Sequence, residues 1–198
     1  MFSNIHWFGN CITQWVSLNF LSNLDRDDNL PQHICDDLKL YIGSIYSLTD
    51  ENLTQFGITH IVSCVHWLQQ PYHPPEIPVH YVSVWDTTTA PIGQHFPQAV
   101  AFIENSIKEG GTVLVHCHAG RSRSATIVIA YLMAKYGIEF EEVLAYLQKR
   151  RSVINPNDGF VEQLREWQQV LTLARRADPT EIKDINSSII NPSSHQEA

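Results

Sequence analysis

Cysteine is sparse in this 198-residue chain, cations are outnumbered, and no long apolar run occurs. The four cysteines, Cys11, Cys35, Cys64 and Cys117, are widely spread and show no paired metal-ligand spacing. That excludes a disulfide framework or zinc ribbon and favours a reducing compartment, cytoplasmic or nuclear. No metal and no cofactor are expected. No stretch of 18 apolar residues exists, so no membrane-spanning helix is expected. The N-terminus lacks basic residues ahead of a clean apolar run, so no signal peptide is expected. Phe2 excludes N-myristoylation of the chain as it stands. Lys and Arg number 13 against 21 Asp and Glu, a net charge of −8, which argues against general nucleic-acid binding. No internal repeat is visible, and the sequence leaves the oligomeric state open.

What is present suffices for one domain with a real core, since 43% of residues are hydrophobic. Residues 1–34 are read as an extension. Its apolar side either packs on the domain or serves a dimer or docking contact. Residues 35–177 are read as the folded domain, and 178–198 as a polar, disordered tail. Leu38–Ile42 alternates like a strand, with Gly43 as a turn. Thr49 caps a short helix through Phe56, stopped by Gly57. Ile58–Val65 is β-branched and reads as a central strand. Residues 66–79 hold four prolines and form a loop; His80–Trp85 is another strand, and Asp86–Gly93 another loop. Phe96, Val100, Ile103 and Ile107 share one helical face, as do Phe140, Leu144 and Leu147, and then Phe160, Leu164, Trp167 and Leu171. Strands alternating with helices predict an α/β layer fold.

The chain turns on Val113–Ala125. Val113–Val115 reads as a buried strand, Cys117–Arg123 as a loop, and Ala125–Met133 as a buried helix. A cysteine therefore stands on a loop that opens a helix. Unpaired N–H groups and the helix dipole attract an anion there. Gly120 lets a tight turn close into a concave anion site. The same surroundings favour thiolate at Cys117. Arg123 offers a planar fork for two oxygens. Ser124 either caps the helix or donates to the Cys117 sulfur, and His116 is placed to orient the loop. His116–Arg123 carries two arginines, two histidines and no carboxylate, a local positive spot in an acidic chain. A thiolate beneath an oxyanion cradle with an arginine clamp suits attack on a phosphate ester.

His116-Cys117, five residues, then Arg123-Ser124 resembles the signature of the cysteine-dependent protein tyrosine phosphatase superfamily. The fuller string His-Cys-His-Ala-Gly-Arg-Ser-Arg-Ser, running on to Ala130-Tyr-Leu-Met133, resembles its dual-specificity branch. Tyr41-Ile-Gly-Ser44, Gly57-Ile-Thr-His60 and Pro156-Asn-Asp-Gly-Phe160 are similar to the same family. The resemblance covers about Leu38–Ala174. It implies a central, mostly parallel sheet of about five strands flanked by helices, with 35–177 as the catalytic domain.

An alkoxide or phenoxide leaves best when protonated, and a carboxylic acid on a loop can supply the proton. Asp86 is the candidate: it follows a strand and opens a loop. In the family an Asp at this place is the general acid, and then the base that activates water. Trp85 beside it is read as core or as a hinge anchor. Asn157 resembles a family position near the catalytic loop and is equally a turn residue. The loop residues His118, Ala119, Gly120, Arg121, Ser122 and Arg123 are the candidate substrate contacts, and Ser122 is also placed to hydrogen-bond within the loop. Basic groups at His118 and Arg121 suit a polyphosphorylated ring, as in phosphoinositide phosphatases. The Ala-Tyr-Leu-Met helix points instead to phosphorylated protein substrates. RNA 5′-phosphates and phosphate recognition without turnover stay open. Cys64 is read two ways. It is a small buried hydrophobe, or a partner that traps oxidised Cys117 as a reversible disulfide.

Overall fold

The computed structural model describes residues 29–177. The expectations for the rest of the extension, for Cys11 and for the tail lie outside the described residues. Five strands form one sheet: β1 (Gln32–Cys35), β2 (Leu38–Gly43), β3 (His60–Ser63), β4 (Val79–Tyr81) and β5 (Val113–His116), in the order β1-β2-β5-β3-β4. β1 runs antiparallel to β2 and all other neighbours are parallel. Among the described residues five α-helices accompany them: α1 (Asp50–Gln55), α2 (Phe96–Lys108), α3 (Arg123–Tyr136), α4 (Phe140–Arg150) and α5 (Asp158–Ala177).

Period-two alternation builds the layers. Leu40, Ile42, Val62, Val113 and Val115 face the main core with α2 to α5. Tyr41, Ile61 and Leu114 face the other side, with Leu53 of α1, Phe56 and Ile58. Burying such side chains contributes roughly 1.5–3 kcal/mol each. The central element is α3, buried continuously from Arg123 to Met133. A helix covered on all faces reads apolar all round, which is why its sequence lacks a polar face. Gly137 ends it in the left-handed region, φ 75°, where glycine carries no Cβ penalty.

Three expectations change. β1 was not foreseen, and Gln32–Ile34 belongs to the sheet although the sequence assigns those residues to the extension. The strand expected over His80–Trp85 is Val79–Tyr81. Val84 N–H turns back onto the Val82 carbonyl at 3.0 Å, and the Val84 carbonyl accepts from Arg123 at 3.4 Å, so the ladder stops. Trp85 is not core: it is 41% exposed and stacks on His66 at 4.1 Å between centroids.

Candidate active site

β5 delivers Cys117 to the carboxyl edge of the sheet, and α3 begins six residues later at Arg123. Ligand sites in parallel sheets lie at that edge. The loop between is closed by Gly120 at φ 64°. A Cβ there would meet the Gly43 carbonyl oxygen at 2.7 Å, so glycine is required twice over. Main-chain bonds hold the loop from both sides. Cys117 N–H donates to the Gly43 carbonyl at 3.4 Å, and Ile45 N–H donates to the His118 carbonyl at 3.2 Å. Buried Arg151 donates from Nε to the Gly120 carbonyl at 3.1 Å.

Two donors aim at the buried Cys117 sulfur. They are Gly120 N–H at 3.2 Å and the Ser124 hydroxyl at 3.2 Å. Ser124 therefore is not the helix cap. It lies inside α3, whose cap position is Ser122. Ser122 does not bond within its loop by its hydroxyl either. That hydroxyl donates to Asp86 Oδ1 at 2.7 Å.

Asp86, Arg123, Ser122 and Asn157 form one constellation. Asn157 Nδ2 donates to Asp86 Oδ1 at 2.9 Å, and Arg123 Nε lies 3.5 Å from Asp86 Oδ2. Asn157 makes two side-chain contacts. Its Oδ1 accepts from Phe160 N–H at 3.0 Å and caps α5, while its amide nitrogen holds Asp86. The Asp86 loop also lies on α5. Thr88 packs against Gly159, and Gln163 Nε2 donates to the Ala90 carbonyl at 3.0 Å. Arg123 is 6% exposed, while the Asp86 side chain is 34% exposed, so the pair is buried on the arginine side and meets water on the aspartate side.

His118, Ala119 and Arg121 are exposed on the loop. His118 meets the exposed Tyr46 edge-on at 6.4 Å. Arg121 Nε donates to the Val153 carbonyl at 3.4 Å. His116 is fully buried, and its Nε2 lies 3.1 Å from His73 Nε2. Burial, then His73, pushes the His116 ring down to about 3, so it is neutral. Cys64 is fully buried, one position beyond the Ser63–His116 pair of β3 and β5. Burial, then the nearby Cys117, raises its thiol. These facts fit a small buried hydrophobe, and the trap reading stays with peroxide treatment and peptide mapping. Among the described residues, no group of three or more His, Cys, Asp or Glu is placed to hold a metal ion.

Sequence reasoning missed Arg151, Gly159, Gln163 and His73. Gly159 lies within the Pro156–Phe160 motif and was open to notice. The other three act across the chain and carry no local signal.

A family model described as the dual specificity phosphatase catalytic domain matches residues 40–170. Dual specificity protein phosphatase 1 of Arabidopsis thaliana is 37% identical over 150 residues, 75% of this chain and 74% of that protein. Dual specificity protein phosphatase 15 of Mus musculus is 43% identical over 129 residues, 65% of this chain; the match spans 54% of that relative's length. Among solved structures, the human tyrosine phosphatase-like serine/threonine/tyrosine-interacting protein is similar with a TM-score of 0.66 and 34% identity. That likeness covers 72% of this chain and 97% of that one.

Proposed function

The chain belongs to the dual specificity phosphatase family, and from that membership we propose that it hydrolyses phosphate monoesters on proteins through a phosphocysteine intermediate. The observation that carries the mechanism is the meeting of a doubly donated sulfur with an arginine–aspartate pair. Cys117 attacks as thiolate, forming the S–P bond. Loop N–H groups and Arg123 hold the three equatorial oxygens, where charge concentrates. A bound dianion competes with Asp86 for Arg123 and frees Asp86 to face the leaving oxygen. The P–O bond breaks as Asp86 gives its proton to that oxygen. Water then attacks phosphorus and returns a proton to Asp86. The S–P bond breaks, and the Ser124 hydroxyl stabilises the departing thiolate.

Phosphotyrosine and phosphoserine or phosphothreonine on proteins are the proposed substrates. Arg121, one of the two basic groups that would suit a polyphosphorylated ring, is engaged by a main-chain carbonyl; this supports protein over phosphoinositide. Three described cysteines, all free, are in keeping with a cytoplasmic or nuclear setting.

Para-nitrophenyl phosphate turnover, with and without chelator, tests the chemistry. A panel of phosphopeptides, phosphoinositides and RNA 5′-phosphates tests the substrate. Turnover indifferent to chelator and fastest on phosphopeptides is expected. Cys117→Ser abolishes turnover and keeps phosphopeptide binding. Full activity in that variant removes the mechanism, and a phosphoinositide preference removes the protein substrate. Binding without turnover in the unaltered chain makes it a recognition module.

A further inference from the structure

The 66–79 loop reaches the nucleophile's strand through one contact that the mechanism above does not use. His73 Nε2 lies 3.1 Å from Nε2 of His116, with the rings 5.3 Å apart and tilted by 49°. His116 is 0% exposed and adjoins Cys117. Two imidazoles at that separation share one hydrogen, so one nitrogen donates and the other accepts. A fully buried ring in contact with Arg123's field is neutral and carries a single N–H. The main chain of Cys117 favours a proton on the His116 ring. Its Nδ1 makes no hydrogen bond to any described residue. With the proton on Nδ1, the tautomer that the Cys117 main chain favours, Nε2 is left as acceptor. His73 is the donor.

We propose that His73 is a positioning residue. Its Nε2–H fixes the tautomer and ring angle of His116, and through His116 it sets the Cys117 main chain at the floor of the loop. The half-buried His73 ring packs on its other side against Tyr81, at 5.8 Å. The groups that act on the pair are thus Tyr81 from β4, and Cys117 and Arg123 from the loop and α3. Loss of the donor leaves a buried acceptor bare, which a buried site tolerates poorly. The consequence is that the 66–79 loop, remote in sequence, sets the reactivity of the sulfur.

This inference rests on Cys117 being the nucleophile, so the experiment has readouts that do not need turnover. The variants are His73→Phe, which keeps a ring without a donor, and His73→Gln, whose amide restores one. In the unaltered protein, ¹⁵N shifts of His116 should report the Nδ1–H tautomer. In His73→Phe they should report a mixture. Iodoacetamide labelling of Cys117 against pH should shift in His73→Phe and return towards the original profile in His73→Gln. The kcat/KM should fall about 5- to 10-fold, the scale of one hydrogen bond, and recover in His73→Gln. A His116 tautomer and labelling profile unchanged in His73→Phe overturn the proposal. Equal losses in both variants, tracking a lower Tm, overturn it too, since they make His73 a packing residue. An unaltered protein without phosphatase activity would defeat the functional reading alone, because tautomer and labelling still report on His73.

Discussion

At the residue scale, the side chain asked to do most is Asp86. Three groups hold it: Ser122, Asn157 and Arg123. They fix the carboxyl at the mouth of the loop, as the proposed proton delivery requires. Asp86→Asn keeps the shape and removes the proton. We expect kcat to fall ~10²–10⁴-fold on phosphopeptides, the range for a general acid. The fall should be smaller with para-nitrophenyl phosphate, whose leaving group departs without full protonation. Paired rate measurements on the two substrates check this; equal losses would make Asp86 a clamp for Arg123 rather than an acid. The same logic separates Ser122 from Ser124. Two serines two positions apart serve different masters, one the aspartate and one the sulfur.

At the element scale, the start of α5 is the platform for the Asp86 loop. Gly159 lets the Thr88 backbone lie directly on the helix, and an added Cβ would strike the Thr88 carbonyl. Backbone yields less readily than a side-chain end, so Gly159→Ala should displace residues 86–90. Overpacking of this kind costs about 1–3 kcal/mol. A lowered Tm with a lower kcat, but Cys117 labelling as before, is the expected result; wild-type kcat would mean the loop adapts. Legibility follows the same division between near and far. Val113–Met133 was readable because strand, turn and helix are decided by neighbours: an apolar run, Gly120, then a helix apolar on every side. Thr49 and Gly57 bracketed α1 for the same reason, the Thr49 hydroxyl accepting from Asn52 N–H at 3.1 Å. β1 was not readable, because Gln32 and His33 look polar and its identity comes from pairing with β2. Trp85 misled for a related reason. Its burial depends on whether the chain stays in the sheet, and Arg123, 39 residues on, draws the Val84 carbonyl out of it. Ser122–Asp86 and Asn157–Asp86 span 36 and 71 positions, and no local pattern announces such partners.

At the scale of the whole molecule, the fold shifts two sets of titratable groups that bracket neutral pH. Burial lowers His73, His80, His95 and His116, the last from 6.5 to about 3. The unfolded chain protonates these rings below pH 6.5 while the folded one resists, so the unfolded state binds more protons there and stability falls as pH drops. Glu104 joins lower down. Burial raises it, but hydrogen bonds from Lys135 and Tyr131 bring it below its ordinary 4.5, and its contribution is lost as pH falls through that range. On the alkaline side, burial first and Asp37 second push the Cys35 thiol from 9.0 up to about 12. The unfolded chain ionises it above pH 9 while the folded one keeps its proton, so stability falls again as pH rises. Denaturant unfolding across pH should therefore show a plateau between about 6.5 and 9 with a decline on each side. His116 has the deepest shift among the histidines, so His116→Asn should flatten the acid limb above pH 4 by up to one proton's slope, whatever it does to the plateau height. Cys35→Ala should make the alkaline limb shallower between about 9 and 10 and leave the acid one alone; above that, Tyr131 and Tyr136, whose hydroxyls burial also raises, keep the decline. An acid limb of the same slope in His116→Asn would assign that limb to other groups, and would mean that the ring behind the nucleophile accepts a proton more readily than its enclosure allows.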